Sequence, residues 1–189
     1  MSVTLLVAPL VEPLSLVEAK HVLRVEHDDD DVLIGALIAA ARNHVEAMTR
    51  CGLLLQTWRI SLDLWPRDGR IRPRLGPLRT VIAARVFDHV GEASAIDAES
   101  FVVDAAAGVI ASPPFALPQP GRAHGGIALD VEIGFGEDAD DVPPVLRQAI
   151  RGLLTHWYDN RGLIAIGGRV AMMPLSVHAM IASYRVLSL

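Results

Sequence analysis

The stretch DVLIGALIAAARNHVEAMTRCGLLLQTWRISLDL, residues 31–64, decides the fold class because its apolar period changes midway. From residue 54 onwards apolar and polar residues alternate, as in a half-buried strand with one wet face. The stretch therefore predicts a helix over 31–50, ended by Gly52, and a strand directly after it. Before the change, apolar residues recur at the spacing of one helix face; they are Ile34, Leu37, Ile38, Ala41, Val45 and Met48.

The flanking sequence carries further element signals. Ser15 and Glu18 form a capping box, which predicts a short helix to about Arg24. Alternation predicts strands at 80–87 and 127–133 and a hairpin joining 101–104 to 109–111, whereas 112–126 is too rich in Pro and Gly for an element. Helical periodicity returns after Asp141, an expected N-cap, and predicts helices over 143–160, with Gly162 as its C-cap, and 175–187.

This order of elements predicts an α+β fold, with a mainly α-helical core and an inserted antiparallel β subdomain. Residues 1–52 would supply the two N-terminal helices of the core, and residues 137–189 the two C-terminal helices. Residues 53–136 would form the inserted β subdomain. A length of 189 residues suits this single domain overall.

Composition narrows the possible classes of protein. Cys51 is the only cysteine, so an intrachain disulfide and a cysteine-based zinc site are excluded. The N-terminus lacks the basic region of a signal peptide, and no apolar run reaches the roughly 18 residues that a bilayer span requires. We expect a soluble intracellular protein that does not bind membranes.

The net charge of −5 is distributed in blocks along the chain. Residues 59–85 carry +5 and residues 142–189 carry +4, whereas residues 1–58 carry −4 and residues 86–141 carry −10. Such blocks suit a subunit whose positive surface meets the negative surface of a neighbour, although solvated loops would look the same. An acidic chain with one lysine is a poor candidate for tight binding to nucleic acid.

The stretch LLTHWYDNRG, residues 153–162, concentrates side chains that active sites favour. Helical geometry separates them: Trp157 joins the buried stripe, His156 and Asp159 face water, and Tyr158 lies near Arg147 and Arg151. A dyad of His156 and Asp159 is geometrically possible, but the sequence shows neither a nucleophile nor a pocket for it.

Other candidate sites are weaker. His27 beside Asp28 to Asp31 could suggest a metal site, but acids before an apolar run are typical of a helix N-terminus. The stretch GFGEDADD, residues 134–141, lacks the third glycine of a dinucleotide loop. We predict no catalytic residue, no cofactor and no metal.

Three blocks of the sequence are similar to the head–tail connector (adaptor) family of long-tailed phages, which also occurs in prophages and gene transfer agents. They are residues 14–49, residues 53–63 and residues 131–162, joined by PLSVHAMIASYRVL at 174–187. The resemblance implies a non-enzymatic virion protein with a helical core and a β insertion.

The resemblance also implies the partners. Family members form a ring, usually dodecameric, beneath the capsid portal protein, with a tail-side stopper or terminator protein below and DNA passing through as cargo. The protein would be made in the host bacterial cytoplasm and reside in the neck of a phage-like particle. Arginine and tyrosine are favoured at interfaces, so we expect partner contacts at Arg147, Arg151, Tyr158, Arg161, Tyr184 and Arg185.

Two alternatives remain open from the sequence. One is another neck or tail component, a stopper or terminator, although the helices at both ends argue against these mainly β folds. The other is a small metal- or His-dependent hydrolase using His156 or the cluster of His27 and Asp28.

Overall fold

A computed structural model describes residues 1–113, 115–160 and 173–186 of the chain. Helices and antiparallel sheets both contribute, so the predicted α+β class is confirmed. In the described residues the elements are β1 (Ser2–Val7), α1 (Leu16–Leu23), α2 (Asp31–Thr49), β2 (Gln56–Leu62), β3 (Arg70–Ile71), β4 (Leu78–Phe87), β5 (Ala93–Ile96), β6 (Val102–Asp104), β7 (Val109–Ala111), β8 (Ile127–Ile133), α3 (Pro144–Asp159) and α4 (Leu175–Ala182), with short 3₁₀ turns at Ala98–Ser100 and Ala139–Asp141.

The chain divides into two compact units, each with its own core. The sheet unit contains Met1–Pro9 and Leu55–Gly134, and the helical unit contains Leu10–Leu54 and Phe135–Val186. The polypeptide thus leaves the helical unit after α2 and returns to it before α3.

The helical unit is built on the apolar stripes of α2 and α3. Small aliphatic side chains let the helices pack closely, and burial of each large one stabilises the fold by about 1.5–3 kcal/mol. The predicted stripe of α2 is confirmed, with Leu37 and Met48 packing at its margin. The fully enclosed side chains of the core include Ile34, Ile38, Val45, Leu146, Ile150, Leu153, Leu154, Val177 and Ile181.

Helix ends show both successes and errors of the predictions. The capping box of α1 is present, because the Glu18 amide donates to Ser15 Oγ and the Ser15 amide donates to Glu18 Oε2. The prediction that Gly52 ends α2 is wrong: Arg50 adopts the left-handed conformation, with φ of 60°, and its amide donates to the Glu46 carbonyl.

The ends of α3 and α4 also differ from the predictions. Asp141 does not cap α3, because its carboxylate accepts the Asp138 amide in the preceding 3₁₀ turn and Pro143 holds the N-cap position. Helix α4 ends at Ala182 instead of continuing to 187, since a turn follows at Ser183 and Tyr184. The predicted C-cap Gly162 lies outside the described residues.

The sheet unit contains a five-stranded antiparallel sheet in the order β1-β2-β8-β4-β5 and a three-stranded sheet in the order β3-β7-β6. Strand β8 lies at the centre of the larger sheet and is buried on both faces except at Glu132. The core on one face includes Ile60, Leu129 and Val131, which alternate along β2 and β8 as predicted. The hairpin joining β6 to β7 is confirmed, with Asp104 opposite Val109.

Two edge strands of the five-stranded sheet are absent from the predictions. Strand β1 has no clear alternation of apolar and polar residues, and all six of its residues are exposed. Strand β5, Ala93–Ile96, is short and contains two alanines, which have low strand propensity. Both strands form through pairing with a neighbouring strand, which a local pattern does not reveal.

Candidate functional site

The Arg147 side chain on α3 connects three other segments of the helical unit. Its Nη2 donates to Glu18 Oε1 at 2.8 Å, its Nη1 to Asp140 Oδ1 at 2.7 Å, and its Nε to the Pro13 carbonyl at 3.1 Å. The side chain is only 15% exposed. Arg147, predicted as a partner contact, thus donates from each of its three side-chain nitrogens to a group within the chain.

Arg151 and Tyr158 continue this edge of α3. Arg151 Nη2 lies 3.6 Å from Glu18 Oε1, so Glu18 receives two arginines as well as closing the α1 capping box. The hydrogen bond from the Ser15 backbone amide lowers the pKa of Glu18 most, and Arg147 and Arg151 lower it further. Desolvation by burial acts in the opposite direction and raises this pKa. The Tyr158 hydroxyl donates to Asp30 at the N-terminus of α2. The predicted edge of Arg147, Arg151 and Tyr158 therefore joins α1, α2 and α3.

The remaining predicted contact residues lie elsewhere. Tyr184 is half-buried after α4, where its ring meets Phe135 edge-on with centroids 6.3 Å apart. Arg185 is exposed directly after it. Arg161 lies outside the described residues, so the structure does not place it.

A shallow groove of about 500 Å³ runs along α3 in the helical unit. Its lining includes Arg151, His156 and Asp159. His156 Nδ1 lies 3.5 Å from the Asn160 side-chain nitrogen, which itself donates to the His156 carbonyl at 2.7 Å. The remaining lining residues are Val22, Gln148, Gly152 and Thr155.

The acidic segment at 28–31 lies at the N-terminus of α2, where two of its carboxylates pair with Lys20. Lys20 Nζ lies 2.6 Å from Asp28 Oδ1 and 2.8 Å from Asp31 Oδ1. The hydrogen bond to Lys20 lowers the pKa of Asp28, and the hydrogen bonds from Lys20 to Asp28 and Asp31 raise the pKa of the lysine. Within the described ranges, no three His, Cys, Asp or Glu side chains are grouped to hold a metal ion.

A cluster of two arginines and one aspartate lies on the face of the large sheet opposite its core. Asp130 accepts hydrogen bonds from Arg59 Nε at 2.7 Å, Arg59 Nη2 at 2.9 Å and Arg85 Nη1 at 2.8 Å. The Arg59 hydrogen bonds lower the pKa of Asp130 most, desolvation raises it, and Arg85 lowers it further. The positive block at 59–85 and the negative block at 86–141 are therefore partly neutralised inside one chain.

Cys51 is 6% exposed, and its Sγ donates to the Tyr184 carbonyl at 3.2 Å. Burial raises the pKa of its thiol, which opposes formation of a nucleophilic thiolate. No helix in the described segments has the length and apolarity that a membrane span requires.

Comparison with known proteins confirms the family resemblance predicted from the sequence. Residues 13–68 match the family model described as phage gp6-like head-tail connector protein. This match covers α1, α2 and β2, the stretch in which the helical period gives way to alternation. No curated protein sequence matches the chain.

Solved structures resemble the whole chain. A chain in the neck of an empty gene transfer agent particle, computed with C6 symmetry, is 25% identical, with a TM-score of 0.83 over 100% of this chain and 97% of that one. A chain in the neck of a native particle, computed with C12 symmetry, is also 25% identical, with a TM-score of 0.79 over the same shares. A third, from the virion of a native gene transfer agent particle, has the same fold at 23% identity, with a TM-score of 0.81 over 100% of this chain and 97% of that one.

Proposed function

We propose that this chain, which resembles the phage gp6-like head-tail connector proteins, is a structural component of the neck of a phage-like particle. Copies of it would form a ring that joins the capsid portal to the tail and leaves a passage for DNA. The observation that carries the proposal is the likeness over 100% of the chain to a chain in the neck of a gene transfer agent particle. The match to the connector family model supports it independently.

The contacts within the helical unit suit a rigid ring subunit. Glu18 and Arg147 connect α1 to α3, and Tyr158 and Asp30 connect α3 to α2. Because these contacts hold the three helices together, the helical unit can dock against a partner without rearranging its helices. The net charge of −5 suits a passage that does not hold the DNA phosphates.

We propose further that the portal and a tail-side stopper or terminator are the partners, and that Arg147, Arg151, Tyr158, Arg161, Tyr184 and Arg185 contribute contacts. Arg185 is the strongest of these candidates because it is exposed, whereas Arg147 is held by Glu18 and Asp140. The protein would be made in the cytoplasm of the bacterial host.

Electron microscopy of particles labelled with a gold-conjugated antibody to this chain tests the proposal. We expect gold at the junction of capsid and tail. Deletion of the coding sequence should yield DNA-filled capsids and free tails that do not join. Label confined to the tail tip or the capsid shell would refute a neck location.

Charge reversal at Arg185 tests the proposed partner contact. Arg185→Glu should reduce capture by an immobilised portal at least tenfold while leaving the thermal midpoint unchanged. Arg67→Glu, in the turn after β2, is the matched control and should bind as the unmodified chain does. Equal binding by both variants would remove Arg185 from the contact.

The alternative function, a small hydrolase, is tested because His156 lines a groove. His156→Ala should leave particle assembly and infectivity or gene transfer unchanged if the role is structural. A variant that assembles complete necks but loses a hydrolytic activity of the purified chain would favour the enzyme instead.

A further inference from the structure

The edge strand β1 lacks the charged side chains that usually protect edge strands. Residues 1–11 contain no charged side chain, and all six residues of β1 are exposed. Natural sheets normally protect an edge with charges, Pro or a covering segment, because unpaired N–H and C=O groups recruit other strands. In the described part of the chain, no strand pairs with the outer side of β1.

The side chains of β1 extend the apolar face of the sheet towards this open edge. Val3 lies opposite Ile60 and Leu5 lies opposite Trp58, so both share the face on which the sheet core is built. Val3 is 37% exposed and Leu5 is 42% exposed. Apolar surface of this kind is stabilised when another molecule covers it.

The opposite edge of the same sheet has matching properties. Strand β5 has no charged residue, and no described strand pairs with its outer side. Ser94 lies opposite Val86 and Ile96 lies opposite Ala84, and both partners are buried in the sheet core. The core-side residues of β5 are therefore Ser94 and Ile96, just as Val3 and Leu5 are those of β1.

The strand directions determine how two copies could join. Each neighbouring pair in the five-stranded sheet is antiparallel, so β1 and β5 run in the same direction. Adjacent subunits of a closed ring differ by a small rotation, which leaves strand direction almost unchanged. In a ring, β1 of one copy beside β5 of the next would consequently pair in parallel, whereas a two-fold dimer would pair β1 with β1 antiparallel.

We infer that β1 of each copy pairs in parallel with β5 of the neighbouring copy, so that the large sheets join around the ring. The occupant of the open edge is a second copy of this chain. Val3 and Leu5 would lie on the same face as Ser94 and Ile96 of the neighbour, which extends each apolar core across the subunit boundary. This inference rests on the ring proposed above.

Cross-linking between engineered cysteines tests the pairing in assembled particles. Thr4 and Ala95 both point away from the core, since they lie opposite Arg59 and Arg85. Particles carrying the Thr4→Cys/Ala95→Cys chain, treated with a short bis-maleimide, should give a ladder of covalent multimers. Cys51 is buried, so the unmodified chain and either single variant should remain monomeric on a denaturing gel.

A charge at the edge supplies a second test. Leu6→Lys, at a half-exposed position, should abolish incorporation into necks while leaving the melting temperature within about 2 °C of the native value. Val32→Lys, at a site 88% exposed on α2, is the matched control and should assemble normally.

Several outcomes would overturn the inference. They are dimers from Thr4→Cys alone, absence of a ladder in necks that contain the chain, and normal assembly of Leu6→Lys. In the last two cases the chain would still be a neck protein, and the edge would belong to another partner or to none. Absence of the unmodified chain from necks would instead refute the proposed function.

Discussion

Replacement of Asp130 by Asn should destabilise the fold by about 3 kcal/mol at pH 7. Asp130 is 5% exposed, and its carboxylate accepts three charge-assisted hydrogen bonds from Arg59 and Arg85. Each such bond contributes about 1.5–3 kcal/mol. The two arginine side chains are 37% exposed and regain water when the anion is lost, and the amide keeps one acceptor oxygen. Both effects reduce the sum to about 3 kcal/mol.

The loss should also depend on pH with a defined sign. The folded-state pKa of Asp130 lies below its unfolded value of about 3.9, so the native chain gains stability from ionisation above that pH. This gain disappears as the pH falls through the folded-state pKa. The difference between the native chain and Asp130→Asn should therefore be largest at neutral pH and shrink below about pH 4.

Urea unfolding followed by tryptophan fluorescence and circular dichroism measures both effects, at pH 7 and at pH 3. Glu132→Gln on the same strand is the matched control, with an expected change within about 0.5 kcal/mol. Equal stability of Asp130→Asn and the native chain at pH 7 would refute the reasoning. A loss that stays constant down to pH 3 would show that the effect is steric and not ionic.

Four further predictions concern single residues. Arg147→Met should lower the free energy of unfolding by about 2 kcal/mol, because Glu18 and Asp140 lose their cation, and an unchanged urea midpoint would contradict this. Gly35→Ala should raise the thermal midpoint, since an alanine Cβ meets open space on α2 and gains about 0.5–1 kcal/mol of helix propensity. Gly121→Ala should lower that midpoint, because its Cβ would lie 2.2 Å from the His89 backbone nitrogen, and scanning calorimetry of both variants tests the opposite signs. Cys51 should react with an aromatic disulfide reagent only after denaturation, because burial raises the pKa of its thiol, and a rapid absorbance change in native buffer would disprove this.

The helices of the helical unit were predictable because their signals are local. The stripe from Ile34 to Met48 and the capping box of Ser15 and Glu18 lie within one element each, and both appear as expected. Arg50 escaped prediction because a non-glycine residue occupies the left-handed position. Propensity favours Gly there, so tertiary contacts around the helix end outweigh the local preference.

The sheet was less predictable because its pairings are long-range. Strand β8 could be recognised from its alternation, but β1 pairs with β2, at least 50 residues away, and is exposed along its length. The link of Asp130 to Arg59 joins positions 71 residues apart. The only sequence signal for it was that all three charged residues of the cluster lie within predicted strands, where an ion pair across strands is one way to accommodate them.

The candidate contact residues show the same limit. Helical geometry correctly placed Arg147, Arg151 and Tyr158 along one edge of α3, and it separated Trp157 from Asp159. Sequence could not show that Glu18 and Asp30 from other helices occupy this edge. Nor could it show the groove beside His156, because a groove depends on how neighbouring helices pack.

The way the chain leaves and re-enters the helical unit has a consequence for how such proteins diversify. The Phe135 amide donates to the Leu53 carbonyl at 3.3 Å, so the two points where the insertion begins and ends lie at hydrogen-bond distance. To the helical unit, the intervening segment is a loop with fixed ends, and doubling the length of a loop costs only about 0.6 kcal/mol of closure entropy. A change in the length of this segment should therefore cost the helical unit little closure entropy. The turn between β6 and β7 should likewise accept a tag or reporter domain.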